Sequence, residues 1–280
     1  MEKLHIENST VQETLIIPLY GRKLASEKFP GLIADNKAAE IIDGLDYDFT
    51  DAAAGLKGRF AEFGVLEGAM RSYDLVCEIK TYLLRHPEAA VVNLGCGLDT
   101  LFTQADNGRT HGYNIDFPDV IELREQLVPP AEHETNIAAD LNDTSWFDAI
   151  DFSAERGAIF VAAGVFYYFT NEQVRSLLDA MAAAFPAGRI SFDATRKSGL
   201  KMMLKTFIAQ AGISDVGAYF HVENPSNLES WSTHFARVSS KGFMTGYHPW
   251  DKSWGAGKHL LARLGDSTGL TRIISIDFAS

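Results

Sequence analysis

Two glycines and an acid stand at a spacing that suits the binding of a nucleoside. The segment Val91–Thr100 reads VVNLGCGLDT, and Asp116 follows Gly97 by nineteen residues. Gly95 and Gly97 would let the backbone pass close to a ligand, because a glycine has no Cβ to clash with it. Asp116, at the end of the next apolar run, would accept hydrogen bonds from two ribose hydroxyls. The pattern predicts a strand, a glycine turn, a helix and a second strand that together bind a nucleoside-bearing cofactor.

Strand-like and helix-like segments alternate from residue 72 onward, which is typical of a parallel sheet with helices on both faces. The predicted strands are Ala89–Leu94, His111–Asp116, Thr135–Ala139, Ala158–Ala162, Arg189–Asp193 and Arg272–Phe278. The predicted helices are Ser72–Arg85, Asp99–Ala105, Asp119–Gln126, Glu172–Phe185 and Ser198–Ala211. In the last of these helices, Met202, Met203, Phe207 and Ile208 are expected to be core residues.

Two segments lie outside this alternation. Residues 1–65 are largely helical with glycine breaks, and residues 212–255 are rich in Gly, Ser and aromatic residues without a clear period. We expect both to form a cap that walls a second substrate, because ligands of open parallel sheets bind beyond the carboxyl ends of the strands. The predicted organisation is one domain over residues 1–280. It has an N-terminal helical cap over 1–65, a cofactor-binding core over 66–195, and a substrate-side insertion with the final strands over 196–280.

Composition disfavours several classes of protein. The 280 residues are 46% hydrophobic and carry a formal net charge of −12 with no basic run, which argues against a nucleic-acid partner. The longest apolar stretch, Ala158–Phe169, is shorter than the roughly 20 residues that span a bilayer, so we expect a cytoplasmic protein without a membrane partner. Cys77 and Cys96 are too few for a disulfide framework or a cysteine-rich metal site, and no metal is expected. Cys96 is interpreted as a small buried residue.

The residue three places after Gly97 separates two classes of cofactor. A dinucleotide fingerprint has a third glycine there, beneath the pyrophosphate, whereas this chain has Thr100, which disfavours NAD and FAD. S-adenosylmethionine has no phosphate, so a shorter Gly-x-Gly turn is enough for it. The aromatic run Phe166–Phe169 could face its cationic sulfonium, although core packing explains these rings equally well. A nicotinamide-dependent oxidoreductase stays as a minor alternative.

Seven segments spread over most of the chain carry a more specific pattern. They are TLIIPLYGRK (Thr14–Lys23), DNKAAEII (Asp35–Ile42), MRSYDLV (Met70–Val76), HPEAAVVNLGCGLDT (His86–Thr100), DNGRTHGYNIDFPDVIELRE (Asp106–Glu125), AADLNDTSWFD (Ala138–Asp148) and AAGVFYYFTNEQV (Ala162–Val174). Together they resemble the leucine carboxyl methyltransferase family, especially its bacterial branch of polyketide-type O-methyltransferases. The resemblance implies an α/β class I methyltransferase fold. Its Rossmann-like sheet has seven strands, the last of them antiparallel, with helices on both faces.

The resemblance also implies roles for individual residues. Arg71 would pair with the methionine carboxylate of S-adenosylmethionine, the glycine turn would lie under the methionine part, and Asp140 and Leu141 would meet the adenine. The implied cofactor-binding residues are Arg71, Gly95, Cys96, Gly97, Asp116, Phe117, Asp140, Leu141, Ala163 and Gly164. A capping role is an alternative for Asp140.

On the acceptor side, the candidates are Tyr20, Arg22 and Tyr168, with Arg22 attracting a carboxylate. Anchoring of the N-terminal cap is an equal alternative for Tyr20 and Arg22. No catalytic residue is assigned, because an ionised carboxylate needs no general base. A phenolic or enolic acceptor would need one, and His221 or His248 would be the candidate.

The chain departs from the family at several positions. Ala163 stands where the family carries an acid that reaches the amino group of the cofactor. Leu101 and Gln104 replace family arginines, and Val76 replaces an acid. The leading hypothesis is an O-methyltransferase acting on a carboxylate, or a hydroxyl, of a small metabolite such as a polyketide-like acid. The alternative is a catalytically impaired binding protein with the same fold. The sequence indicates neither the acceptor nor an oligomeric state.

Overall fold

A computed structural model describes residues 3–5, 15–30, 35–50, 53, 59–203, 219–242, 244, 246–247 and 255–280. Its main sheet has seven strands: β1 (Ala90–Leu94), β2 (His111–Asp116), β3 (Glu134–Ala138), β4 (Ala158–Ala162), β5 (Arg189–Thr195), β6 (Phe235–Lys241) and β7 (Thr271–Phe278). The order across the sheet is β3-β2-β1-β4-β5-β7-β6. The five strands β1 to β5 pair in parallel, and β7 runs antiparallel to both of its neighbours. The predicted class I methyltransferase sheet is confirmed.

Helices cover both faces of the sheet, and a smaller layer precedes it. They are α1 (Ile16–Lys28), α2 (Asn36–Gly44), α3 (Arg59–Leu83), α4 (Leu101–Ala105), α5 (Pro118–Leu127), α6 (Asn171–Ala184), α7 (Lys197–Met203) and α8 (Ala256–Thr268). Two short strands, Leu4–His5 and Leu45–Asp46, pair in parallel beside α1 and α2. Helix α6 begins with the capping box predicted from the sequence, since Thr170 and Gln173 satisfy each other's backbone N–H groups.

Three apolar clusters hold these layers together. Strands β1 and β4 are buried at every residue, as expected for central parallel strands that are covered on both faces. One face packs on α6 through residues such as Phe160, Phe192 and Leu178. The other face packs on α3 and α4 through residues such as Leu66, Ile79 and Phe102. The third cluster joins α1 and α2 to the glycine turn through Ile16, Leu19, Ile41 and Leu98.

The structure corrects three expectations from the sequence. Helix α3 starts at Arg59 rather than Ser72, so it runs across the boundary expected at residue 65. Residues 212–255 contribute strand β6, which forms an edge of the sheet. Met202 is 53% exposed and is not a core residue. Phe207 and Ile208 lie outside the described residues, and the proposed domain boundaries stay a prediction.

The described residues contain neither a membrane-spanning helix nor a cluster of metal-binding side chains. No helix among them is long and apolar enough to cross a membrane. Within the same part of the chain, no group of three or more His, Cys, Asp or Glu side chains is placed to hold a metal ion.

Candidate cofactor and acceptor site

The glycine turn lies directly after β1, at the carboxyl edge of the sheet. Gly95 and Gly97 have φ values of +60° and +49°, in the left-handed region that favours glycine. A Cβ added to Gly95 would lie 2.5 Å from Cγ2 of Val165, which belongs to the loop after β4. Two neighbouring strand ends therefore approach each other here only because residue 95 has no side chain. Cys96 is buried between the two glycines, and burial raises the pKa of its thiol well above the ordinary range.

Asp116 ends β2 with its carboxylate turned toward the glycine turn. Its Oδ2 accepts a hydrogen bond from the backbone N–H of Gly97 at 2.7 Å, and its Oδ1 accepts one from that of Phe117 at 2.8 Å. Burial raises the pKa of Asp116, and the two N–H donors lower it in part. An ionised carboxylate has about four acceptor positions, so Asp116 keeps capacity for the two hydroxyls of a ribose. The Phe117 side chain is 38% exposed.

Two arginines, on α1 and α5, donate hydrogen bonds to the backbone carbonyls of the turn. Nη1 of the buried Arg124 donates to the carbonyl oxygens of Gly97 at 2.9 Å and of Asp99 at 2.8 Å. Nη1 of Arg22, on α1, donates to the carbonyl of Leu98 at 2.7 Å, while its Nε donates to Asp35 at 2.6 Å. The turn is therefore held in shape by partners on α1 and α5, while its N–H groups at Cys96 and Gly97 donate to the carbonyl of Ile115 and to Asp116.

The contacts of Arg22 bear on the acceptor-side candidates. Because its guanidinium is engaged by Asp35 and by the glycine turn, Arg22 matches the anchoring alternative. Tyr20 stacks on Phe49, with 5.8 Å between the ring centroids, in the same N-terminal layer. The third candidate, Tyr168, lies at the opposite side of the site in the loop after β4 and is 46% exposed. The structure does not bring these three side chains together.

A second polar group forms where β4 and β5 end. Asp193 accepts from Nη1 of Arg71 at 3.2 Å, from the backbone N–H of Gly164 at 2.6 Å, and from the hydroxyl of Tyr167 at 3.0 Å. The sequence reasoning missed Asp193, although an acid closing an apolar strand at the same edge as Asp116 was a usable signal. Gly164 has a φ of +76°, and a Cβ there would lie 2.8 Å from Nη1 of Arg71, so glycine lets the guanidinium approach. Ala163 is half-buried beside this group and adds no charge.

Arg71 is suited to hold a further carboxylate. Its Nε is buried and has no hydrogen-bond partner among the described residues. Burial opposes the charge of Arg71, but the neighbouring Asp193 and Tyr167 raise its pKa, so the guanidinium stays charged. With Nη1 held by Asp193, the Nε side of the fork is left for a ligand. A carboxylate would satisfy that unpaired donor through a charge-assisted hydrogen bond.

The expected adenine side lies beyond β3. Asp140 is exposed, and its Oδ1 accepts from the backbone N–H and from Nδ2 of Asn142, both at 2.9 Å. The short helix that follows is capped by Asp143, so Asp140 is not a helix cap. Leu141 is buried beneath this turn. Asn142 in turn accepts from Gln173 at 3.1 Å, which ties the turn to the first turn of helix α6.

One of the two histidine candidates can be placed. His221 lies on the segment that follows the undescribed residues 204–218, with its Nδ1 3.0 Å from the carbonyl oxygen of Tyr219. Since a carbonyl only accepts, Nδ1 is the donor of this hydrogen bond, and in the neutral imidazole Nε2 is then the acceptor nitrogen. His248 lies outside the described residues.

Comparisons with known proteins agree with this geometry. Residues 76–182 match the model of the family described as leucine carboxyl methyltransferase. The tetracenomycin polyketide synthesis O-methyltransferase TcmP of Streptomyces glaucescens is 28% identical over 262 residues, covering 91% of this chain and 93% of that protein. The S-adenosyl-L-methionine-dependent methyltransferase dpfgK of Gibberella zeae is 23% identical over 276 residues, covering 88% and 91%.

Solved structures show the same fold. A proposed methyltransferase from Thermobifida fusca superposes with a TM-score of 0.63 at 14% identity, over 97% of this chain and 95% of that one. The CurJ carbon methyltransferase superposes with a TM-score of 0.54 at 13% identity, over 96% of this chain and 68% of that one. The resemblance inferred from the sequence is confirmed and the nicotinamide-dependent alternative is set aside. The chain is an S-adenosylmethionine-dependent methyltransferase, and it is similar to the leucine carboxyl methyltransferase family over residues 76–182.

Proposed function

We propose that this methyltransferase transfers the methyl group to an oxygen, and that the acceptor is a carboxylate, or a hydroxyl, of a small metabolite such as a polyketide-like acid. The observation that carries the proposal is the likeness to the tetracenomycin polyketide O-methyltransferase, which extends over 91% of the chain. The acidic balance of the whole protein, −12, also favours a small acceptor over a nucleic acid.

The carboxyl edge of the sheet supports an assignment of cofactor contacts. Arg71 would bind the methionine carboxylate through its unpaired Nε, the turn Gly95–Gly97 would pass beneath the methionine part, and Asp116 would accept from the ribose hydroxyls. Asp140 and Leu141 would border the adenine. S-adenosylmethionine, when bound, supplies an electrophilic methyl carbon on a sulfonium sulfur.

On the acceptor side the protein has to place and desolvate an oxygen. A carboxylate is ionised near neutral pH, so no side chain needs to remove a proton. Rate then comes from holding that oxygen about 3 Å from the methyl carbon and from excluding its water. Tyr168 and Tyr219, which are 46% and 56% exposed, offer aromatic surface for a flat acceptor.

Product chemistry tests the proposal most directly. The full-length protein would be incubated with S-adenosylmethionine and a panel of aromatic acids, phenols and amines, and the products identified by mass spectrometry. We expect a methyl ester, which mild alkali hydrolyses back to the acid. An alkali-stable methyl ether would move the acceptor from carboxylate to hydroxyl, and methylation confined to amines or carbon would overturn the O-methyltransferase assignment.

Ala163 favours a second candidate, a binding protein that keeps the cofactor but has lost turnover. The acid that the family resemblance implies at this position is absent, and the chain has Ala163 there. That candidate predicts tight S-adenosylhomocysteine binding by calorimetry together with no methyl transfer across the panel. Methyl transfer to any acid would exclude it.

A further inference from the structure

Two arginines at the carboxyl edge of the sheet converge on one point. Arg196 directly follows the last residue of β5, and Arg272 of β7 pairs with Ala194 of β5. A Cβ built on Gly269 would lie 3.5 Å from Nη2 of Arg196 and would clash with Nη2 of Arg272. Gly269 has a φ of +61°, so this tight turn brings both guanidinium groups to the same side of the strand ends.

Within the part of the chain that the structure describes, neither guanidinium has a carboxylate partner. Among the described residues, no ion pair includes Arg196 or Arg272. The Nε atom of each is buried without a hydrogen-bond partner, and Nη2 of Arg272 donates only to the backbone of Gly269, at 2.9 Å. The acid Glu223 is near, but its Oε1 accepts from the backbone N–H of Lys197 at 3.1 Å.

The pair is electrostatically unfavourable in the absence of an anion. Burial, and next the positive charge of Arg196, lower the pKa of Arg272, and Glu223 offsets this only in part. Like charges held together without a counter-ion destabilise a fold, and such arrangements are concentrated at binding sites. The other arginines described near this edge differ, since Arg22, Arg71 and Arg124 each have a carboxylate partner.

One segment links the arginine pair to the cofactor edge. Tyr219 donates its backbone N–H to the carbonyl of Tyr167 at 2.7 Å, beside the Arg71–Asp193 pair. Three residues later, Val222 donates to the carbonyl of Thr195 at 2.9 Å, beside Arg196. The segment thus bridges the ends of β4 and β5, and the exposed ring of Tyr219 lies on it.

We propose that Arg196 and Arg272 form an anion site that binds a carboxylate of the acceptor. The inference rests on the proposed function for the identity of the acceptor, while the anion site itself can be tested without turnover. Planar guanidinium groups bind carboxylates through paired N–H donors, and one bound carboxylate would offset the repulsion between the two arginines. The acceptor would then be an organic acid. Its carboxylate would bind at the ends of β5 and β7, next to the place proposed for the methionine part of the cofactor.

The test compares wild type with Arg196→Gln, Arg272→Gln, the double variant, and Arg272→Lys. Arg237→Gln is the matched control, because Arg237 is an exposed residue of the neighbouring strand β6. Benzoate, phthalate and inorganic phosphate are the probes. Their binding is measured by thermal shift and by calorimetry. We expect the carboxylates to stabilise wild type and Arg237→Gln. Each Gln variant should lose about tenfold in affinity, with Arg272→Lys intermediate. S-adenosylhomocysteine affinity, which reports correct folding, should be unchanged in all of them.

Several outcomes would overturn the site. Equal carboxylate binding by wild type and the double variant would do so, as would stabilisation by phosphate alone. If the double variant also lost S-adenosylhomocysteine binding, its folding would be impaired. The carboxylate affinity of Arg272→Lys would then decide, since an affinity equal to that of wild type would overturn the site and a lower one would support it. In turnover, a raised KM for an acid acceptor at unchanged kcat supports the inference. Carboxylate binding that depends on the arginines, with neither a methyl ester nor a methyl ether formed, would refute the proposed function and leave the anion site standing.

Discussion

At the level of single residues, the Arg71–Asp193 pair allows the proposed recognition of the amino-acid part of the cofactor to be tested apart from that of its nucleoside. Asp193 is 3% exposed and holds one guanidinium nitrogen of Arg71, the hydroxyl of Tyr167 and the N–H of Gly164. Asp193 therefore acts as a positioning residue. It holds Nη1 of Arg71, and we propose that the unpaired Nε is the donor for the methionine carboxylate.

Asp193→Asn should weaken binding of S-adenosylhomocysteine while sparing a ligand without the amino acid. Loss of a charge-assisted hydrogen bond costs about 1.5–3 kcal/mol, so we expect a roughly ten- to hundredfold higher Kd. 5′-Methylthioadenosine lacks the carboxylate that Arg71 would bind, and its Kd should change less than about threefold. Calorimetry with both ligands measures the difference. An equal loss for both would show that Asp193 serves only the fold, and Arg71→Gln should reproduce the selective pattern.

A variant of His221 tests whether the acceptor oxygen belongs to a carboxylate or to a hydroxyl. Its Nδ1 donates to the carbonyl of Tyr219, so Nε2 is free to take a proton. His221→Asn should leave kcat for a carboxylic acid within about twofold, because an ionised carboxylate has no proton to lose. For a phenol, loss of a general base should lower kcat by about a hundredfold or more. His234→Asn, at an exposed position, is the control. A large loss with the acid would contradict a base-free transfer.

At the level of elements, helix α3 carries a buried acid, Asp74, beside strand β6 and Tyr247. Asp74 is fully buried, its Oδ2 has no hydrogen-bond partner among the described residues, and its Oδ1 accepts only from the N–H of Tyr247 at 3.4 Å. Burial raises its pKa to about 7, against an ordinary 3.8. Glu78 and Asp266 face it and raise the pKa further, and Lys241 lowers it. Between about pH 4 and pH 7, the folded protein therefore keeps a proton on Asp74 that the unfolded chain releases.

Asp74→Asn should change how stability depends on pH. Because the folded pKa lies above the unfolded one, stability of the wild type should fall as pH rises from about 4 to about 7 and stay low above that. The variant should lack this fall and be more stable than wild type at pH 8, by an amount on the order of 3 kcal/mol. Urea unfolding at pH 5 and pH 8 measures it. Asp179→Asn, exposed on α6, is the control, and parallel pH profiles for wild type and Asp74→Asn would contradict the prediction.

The elements also show how far the sequence could go. Strands β2 and β4 match their predicted ends. The apolar run AIFVA defines β4, and Asp116 with the following Pro118 marks the end of β2. Strand β6 was missed because Phe235–Lys241, FARVSSK, is a half-exposed edge strand without apolar alternation. The early start of α3 was missed because glycines at 64 and 68 suggested breaks, although packing on the sheet favours one long helix.

The candidate site divides in the same way. The glycine turn and Asp116 could be predicted, because left-handed glycines and a terminal acid are local features. Asp193 could not be assigned to Arg71, since 122 residues separate them and the pairing depends on how α3 crosses the sheet. The partners of Arg22 also depend on the tertiary structure. Only the structure shows that its guanidinium forms an ion pair with Asp35.

For the whole molecule, the glycine turn is the junction between the N-terminal layer and the sheet. Leu98 of the turn belongs to the apolar cluster of Ile16 and Leu19, and its carbonyl accepts from Arg22. Leu15 also comes close to Gly97, since a Cβ there would lie 3.0 Å from Cδ2 of Leu15. A ligand that rigidifies the turn should therefore also stabilise α1, although α1 contributes no residue to the proposed cofactor contacts other than through the turn.

Hydrogen exchange tests this coupling. At a hundredfold excess over its Kd, S-adenosylhomocysteine should add about 2.7 kcal/mol of stability and slow exchange up to a hundredfold in β1 and β2. If the turn links the layers, Ile16–Lys28 should gain protection in the wild type and in Lys28→Gln, an exposed control on the same helix. In Arg22→Gln the gain should persist in the sheet and shrink in α1, because the hydrogen bond to Leu98 is gone. Equal gains in protection of α1 for Arg22→Gln and Lys28→Gln would mean that apolar packing around Leu98 alone carries the coupling. If α1 gained no protection in the wild type or in either variant, the N-terminal layer would open independently of the cofactor site.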